Sequence, residues 1–192
     1  MQFFYKTPKM RYKEGQKTET YNRILTAAER CFKKDGYNGI GIDGLAKEAG
    51  VTSGAFYGHF KSKVSVFSQS IIAGLSEVRV AIIDLQKQHG ENWWPHFAEF
   101  YMNHRRKCDL SESCALQSLT PEVSRSTEGI RTIYQQELLK IILTASNDNK
   151  LNTDKVWSNF AMLTGGVNLS RAVNDQKIAD EIAQAILNTF KS

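Results

Sequence analysis

The segment Asp43–Lys63, DGLAKEAGVTSGAFYGHFKSK, constrains the fold more than any other part of the chain. Leu45, Ala46 and Ala49 recur at helical spacing and give a short helix one apolar stripe. Gly50 follows, the residue type that most easily takes a positive φ just past a helix end. Val51 can plug the angle between two helices. Thr52 and Ser53 can cap a second helix whose apolar positions, Phe56 and Phe60, lie four apart. Two short helices joined by so tight a turn form a helix-turn-helix, whose second helix fits a DNA major groove about 12 Å wide.

The remainder also points to an all-α fold. Proline occurs only at Pro8, Pro95 and Pro121, and no alternating strand pattern appears. A first helix is expected from Thr20 as cap to about Lys34, burying Ile24, Leu25, Ala28, Cys31 and Phe32. The helix-turn-helix follows as about Ile42 to Ala49 and Ser53 to Phe60. A long fourth helix, about Ser62 to Gln88, turns Val66, Phe67, Ile71, Leu75, Val78 and Ile82 inward. It leaves the helix-turn-helix without a break, so the boundary near residue 64 is a rod and not a flexible linker. Gly90 to Asn92 ends it, and Trp93 to about Lys107 forms another helix with Pro95 in its first turn. Residues 110–125 read as broken, Thr127 to Ala145 as long and apolar, and Ser146 to Lys150 as a polar loop. Two last helices are expected at about Thr153 to Val173 and Gln176 to Phe190.

Charge is unevenly placed. The net charge is +5, yet residues 1–64 alone hold nine Lys and three Arg against six acids. The excess therefore lies with the helix-turn-helix, where attraction to phosphates explains it better than a solvated tail does. Three cysteines, Cys31, Cys108 and Cys114, make no disulfide framework, which fits a reducing cytoplasm. No apolar run approaches the roughly 18 residues of a membrane helix, and the N-terminus lacks a signal-type core.

ILTAAERCFKKDGY at Ile24–Tyr37, together with the segment above, resembles the DNA-binding domain of the tetracycline-repressor (TetR) family of bacterial regulators. The shared features are the Ile-Leu-x-Ala-Ala opening, the Asp35-Gly36-Tyr37 stop, the Ala-Gly-Val turn and Phe56-Tyr57-Gly58-His59-Phe60 before Ser62-Lys63. Three departures stand out: Gly41 where a capping Ser or Thr is usual, Val64 for a frequent Glu, and Gly44 inside helix two. The resemblance divides the chain into a basic arm at 1–17, a DNA-binding domain at 18–64, and an effector-binding and dimerisation domain at 65–192. It implies a homodimer on a near-palindromic double-stranded operator, acting as a repressor released by a small-molecule effector.

Within the motif, Thr52, Ser53, Gly54 and Ala55 open the reading helix, and Gly54 and Gly58 let its backbone come close to the groove. The family pattern places Tyr57, His59 and Lys63 on the phosphate backbone, with Lys61 beside them. The alternative for His59 is a helix-end residue bonded to a carbonyl. Farther on, Phe97, Phe100, Tyr101, Cys114, Gln117, Tyr134 and Trp157 are candidates for an effector pocket, against the plain reading of a core. Ala161, Gly165, Ile178, Ile182 and Ile186 fit a dimer face by the resemblance, although an intramolecular core would use them equally well.

Cys114 before Ala115-Leu116 resembles a cysteine-bearing subset of these regulators. A helix start there would favour thiolate, so a thiol sensor using Cys108 or Cys114 is one alternative. The other is an enzyme with Cys108 as nucleophile and His104 as base, four residues apart. No orienting acid, oxyanion loop, Walker loop or zinc spacing accompanies them, so neither a catalytic site, a metal nor a cofactor is expected.

Overall fold

The computed structural model describes residues 14–147 and 152–191. Lys6, Lys9, Arg11 and Lys13 of the basic arm, and the end of the Ser146–Lys150 loop, lie outside them. All regular structure among the described residues is helical.

Helix α1, Glu14–Gly39, begins well before Thr20, so Thr20 is not its cap. The polar run that precedes it stays in solvent and holds no strong breaker, leaving nothing to end the helix at that threonine. Gly36, at φ 75° and ψ 170°, breaks α1 where the Asp35-Gly36-Tyr37 stop is expected. Helices α2, Ile42–Glu48, and α3, Ser53–Tyr57, form the helix-turn-helix. Gly50 takes φ 63° between them, and the Val51 amide closes the turn onto the Ala46 carbonyl at 2.9 Å. The Thr52 hydroxyl caps α3 by accepting from the Ala55 amide at 3.1 Å. Helix α3 stops at Tyr57, short of the expected Phe60, because Gly58 caps it; Phe60 reaches the core from the turn beyond.

Helix α4, Lys63–His89, starts in a reciprocal capping box in which the Ser62 and Ser65 hydroxyls accept from each other's amides at 3.1 Å. Its stripe Val66, Phe67, Ile71, Leu75, Val78 and Ile82 is fully buried and serves both halves of the chain, so one continuous core runs from Ile24 to Ala183. The expectation about apolar runs is corrected here, since the helical stretch Lys63–Arg105 contains an 18-residue window of mean hydropathy 1.5. The same stripe carries much of that apolarity.

Beyond α4 come α5, Trp93–Phe100; α6, Ala115–Ser118; α7, Thr120–Ser124; α8, Glu128–Ala145; α9, Thr153–Ala172; and α10, Gln176–Asn188. Helix α5 is shorter than expected. At Tyr101–Arg105 the chain widens into a π-type turn, and the Arg106 amide reaches back five residues to the Tyr101 carbonyl at 3.1 Å. Helix α8 packs along α4, and α9 packs against α10. The short α6 lies on α4 at Gly74, where a methyl group would overlap the Ala115 methyl. Buried Arg106 fixes the wide turn to α10 by donating to Asp180 at 2.5 Å, and Arg171 of α9 donates to the Arg105 and Cys108 carbonyls at 2.7 and 2.9 Å.

Candidate functional site

The helix-turn-helix presents a sharply two-sided third helix. Phe56 and Phe60 are buried, whereas Thr52, Gly54, Ala55, Tyr57 and Gly58 face solvent, Tyr57 with 54% of its surface exposed. Ser53 is half-buried, and its hydroxyl donates to Asp43 Oδ1 at 2.6 Å, so it is tied to α2. His59 is half-buried beside Tyr21; burial, then the Lys17 charge, hold its pKa below the usual imidazole value. Lys61 is exposed. The Lys63 ammonium lies 4.4 Å from the centroid of the Tyr37 ring, and desolvation lowers its pKa.

An open groove of about 610 Å³ separates the start of α1 from α3, lined by Lys17, Thr20, Arg23, Thr52, Ala55 and His59. Sequence reading did not single out Thr20 and Arg23 for this face, since only the packed structure sets this part of α1 opposite α3. Arg23 also donates to the Gly50 carbonyl at 3.2 Å and so steadies the turn. Gly41 contributes no side-chain cap to α2, as its lack of a hydroxyl requires.

A second concavity lies between α4, α5 and α6, with a volume of about 40 Å³. Gly74, Val78, Phe97, Tyr101, Cys114 and Ala115 form its floor and walls, and Glu77, Phe100 and Arg105 stand at the more exposed rim. Of the pocket candidates, Phe97, Phe100, Tyr101 and Cys114 come together here. The other three do not join them. Gln117 is buried and donates to Asn168 Oδ1 at 2.5 Å; Tyr134 bonds Thr120 at 2.5 Å across a separate groove between α7 and α8; Trp157 faces solvent on α9. Burial, then the Cys114 neighbour, push the Tyr101 hydroxyl well above the ordinary phenol pKa.

Cys31 is a buried part of the α1 core. Cys114 precedes α6 and is buried. The Cys108 thiol donates to the Arg105 carbonyl at 3.3 Å and lies 3.5 Å from Arg171, while the His104 ring stacks on Phe100. Among the described residues no three His, Cys, Asp or Glu side chains gather as metal ligands.

Helices α9 and α10 leave an apolar outer face. Trp157, Ala161 and Leu169 are exposed, Leu169 at 61%, and nothing approaches the place of a side chain at Gly165. On α10, Ile178 is exposed and Ile182 half-buried, while Ala179 and Ala183 point inward. Ile186 instead packs against Gly166 within the subunit.

Polar ties connect α1 to the C-terminal helices. The Tyr37 amide, at the break in α1, donates to Glu122 Oε2 of α7 at 3.1 Å. Arg30 pairs with Glu112 at 3.3 Å, and Arg105 at the cavity rim donates to the Glu112 carbonyl at 2.5 Å. Glu29 is buried on α1. Burial raises its pKa to about 7, Lys33 opposing the rise and Glu77 of α4 adding to it.

Comparison with known proteins agrees with this architecture. Residues 24–69 match the family described as "Bacterial regulatory proteins, tetR family". The chain is 41% identical over 70 residues to the HTH-type transcriptional regulator AcrR of Shigella flexneri, covering 36% of this chain and 32% of AcrR. It is 44% identical over 63 residues to the HTH-type transcriptional repressor BepR of Brucella suis, covering 33% and 30%. The matched stretch thus spans about a third of the length of these relatives. In fold, the chain is similar to the reduced form of Escherichia coli NemR, with a TM-score of 0.74 at 18% identity over 90% of this chain and 96% of NemR. A TetR-family regulator from Agrobacterium tumefaciens gives 0.74 at 14% over 90% and 98%. Residues 24–69 thus carry a sequence similar to that of the tetR family of bacterial regulatory proteins, and nine-tenths of the chain shares the fold of solved TetR-family regulators.

Proposed function

We propose that this protein is a homodimeric, cytoplasmic transcription repressor that binds a near-palindromic operator and is released from it by a small-molecule effector. The observation that carries the reading is the two-sided α3: Phe56 and Phe60 anchor it while Thr52, Gly54, Ala55 and Tyr57 are left to a partner. Residues 18–64 act as the DNA-binding domain and 65–192 as the effector and dimer domain. Thr52 and Ala55 meet base edges, and Ser53 reads a base only by giving up Asp43. Tyr57, His59, Lys61 and Lys63 hold phosphates, together with Lys17, Thr20 and Arg23 along the groove. The outer face of α9 and α10, with Trp157, Ala161, Gly165, Leu169, Ile178 and Ile182, is the dimer contact. A two-fold pair then sets two copies of α3 on half-sites about one helical turn apart, or a multiple of that.

Occupation of the α4–α6 cavity shifts α4, and α4 is continuous with the reading unit. The tie from Glu122 to the α1 break transmits movement of α6 and α7 to the same unit. Coupling of this kind is worth about 1–3 kcal/mol, or 5–150-fold in affinity.

The test is an operator recovered by selection from genomic fragments, followed by fluorescence anisotropy at several salt concentrations. Affinity should fall steeply with salt, and Tyr57→Ala should weaken all sequences alike. Thr52→Ala should instead alter preference among sequences. Binding that ignores both salt and Tyr57→Ala would refute the interface.

A further inference from the structure

We propose that the cavity between α4, α5 and α6 takes a small uncharged molecule that presents one acceptor oxygen, a carbonyl above all, to the Tyr101 hydroxyl. The inference rests on the effector reading above and gives that effector a chemical class. Tyr101 is only 2% exposed, and its hydroxyl has no oxygen or nitrogen partner among the described residues. The polar group it does face is the Cys114 thiol, a weak hydrogen-bonding partner. A buried hydroxyl without a bond costs free energy that a bound acceptor recovers. Burial keeps this hydroxyl protonated, so it acts as a donor throughout the physiological pH range.

Water is a poor occupant. A buried water needs two to four polar partners, whereas the lining offers Tyr101 and the thiol among Val78, Phe97 and Ala115, the Ser113 hydroxyl being already bonded to the Leu110 carbonyl and to Ser118. Those apolar walls suit a hydrocarbon body. The rim carries one charge of each sign, Glu77 and Arg105, so it selects neither an anion nor a cation. The Arg105 guanidinium is moreover already held by the Glu112 carbonyl and lies 5.3 Å from the Phe100 ring centroid. A volume of about 40 Å³ limits the enclosed part of the ligand to a few heavy atoms.

The test titrates the full-length protein with cyclopentanone and with methylenecyclopentane, the same ring with CH₂ in place of oxygen, and reads binding by ligand-observed NMR. The wild type should prefer the ketone by roughly 10-fold, the worth of one neutral hydrogen bond made to an orphaned group. Tyr101→Phe should erase that preference, leave the hydrocarbon's binding unchanged and melt no lower than the wild type. Val78→Phe, which fills the floor, should abolish binding of both probes. The proposal is overturned if Tyr101→Phe keeps the preference, if the wild type shows none, if Val78→Phe still binds the ketone, or if the ketone fails to bind at millimolar concentration. Operator binding is measured on the same samples without either probe. Its loss would remove the regulator reading and leave the cavity result standing.

Discussion

Replacing Glu29 by Gln should stabilise the protein above neutral pH and leave its stability unchanged near pH 4.5. Glu29 is 9% exposed, and its pKa rises from 4.5 to about 7, first because burial disfavours the charged form and then because Glu77 lies near. Below pH 4.5 the group is protonated in the folded and unfolded chains alike and costs nothing. Between pH 4.5 and about 7 the unfolded chain has released its proton while the folded chain keeps it, so stability falls across that window and levels off above it. With 1.36 kcal/mol per pKa unit, the loss at the plateau is on the order of 3 kcal/mol. Glutamine keeps the shape and cannot ionise. In a chain of this size about 1 kcal/mol moves the melting temperature by roughly 2–4 °C, so the variant should melt about 6–12 °C higher near pH 8. Thermal unfolding followed by circular dichroism at fixed ionic strength reads the difference. A gap between variant and wild type that is equal at both ends of the window would refute the argument. Glu77→Gln should recover a smaller part of the same gain, whereas Lys33→Ala should widen the loss.

Two further outcomes follow from contacts already described. Glu122→Ala leaves the Tyr37 amide without its carboxylate and should cost about 1–3 kcal/mol in urea unfolding, whereas Arg125→Ala removes only an exposed ion pair and should cost under about 0.5 kcal/mol; equal losses would contradict the role given to the backbone bond. Leu169→Glu, on the exposed face of α9, should give folded monomers in sedimentation velocity and weaken operator binding, and a variant that stays dimeric would move the interface elsewhere.

The helix-turn-helix was legible because everything that shapes it is local. Gly50, the Thr52 cap and the Val51-to-Ala46 bond all lie within a few residues of one another. The α4 stripe was legible for a related reason: six apolar residues at helical spacing leave one way to bury them. Periodicity failed where a helix is apolar on two sides. Helix α9 buries Val156, Phe160, Leu163 and Val167 on one face while showing Trp157 and Leu169 on another, so an aromatic read as a pocket wall turned out to be surface. In α10 the isoleucines every fourth residue serve a core or a partner equally well by spacing, yet Ala179 and Ala183 are the buried residues, while Ile178 is exposed and Ile182 half-buried.

What escaped the sequence altogether depends on contacts between distant residues. Tyr37 and Glu122 are 85 positions apart, and a glutamate in a polar stretch carries no sign that it will bond a backbone amide at a glycine break. The cavity has the same origin. Tyr101 opens the wide turn after α5 and neighbours Cys114, 13 positions on, and Ala115 reaches α4 only because Gly74 has no side chain. Had the helix run on regularly to Lys107, the residues after Tyr101 would have been rotated by about 100°, the angular step of one helical residue, and Arg106 would not point at Asp180. The turn that breaks the pattern is thus the feature that sets Arg105 at the cavity rim and joins that end of the cavity to α10.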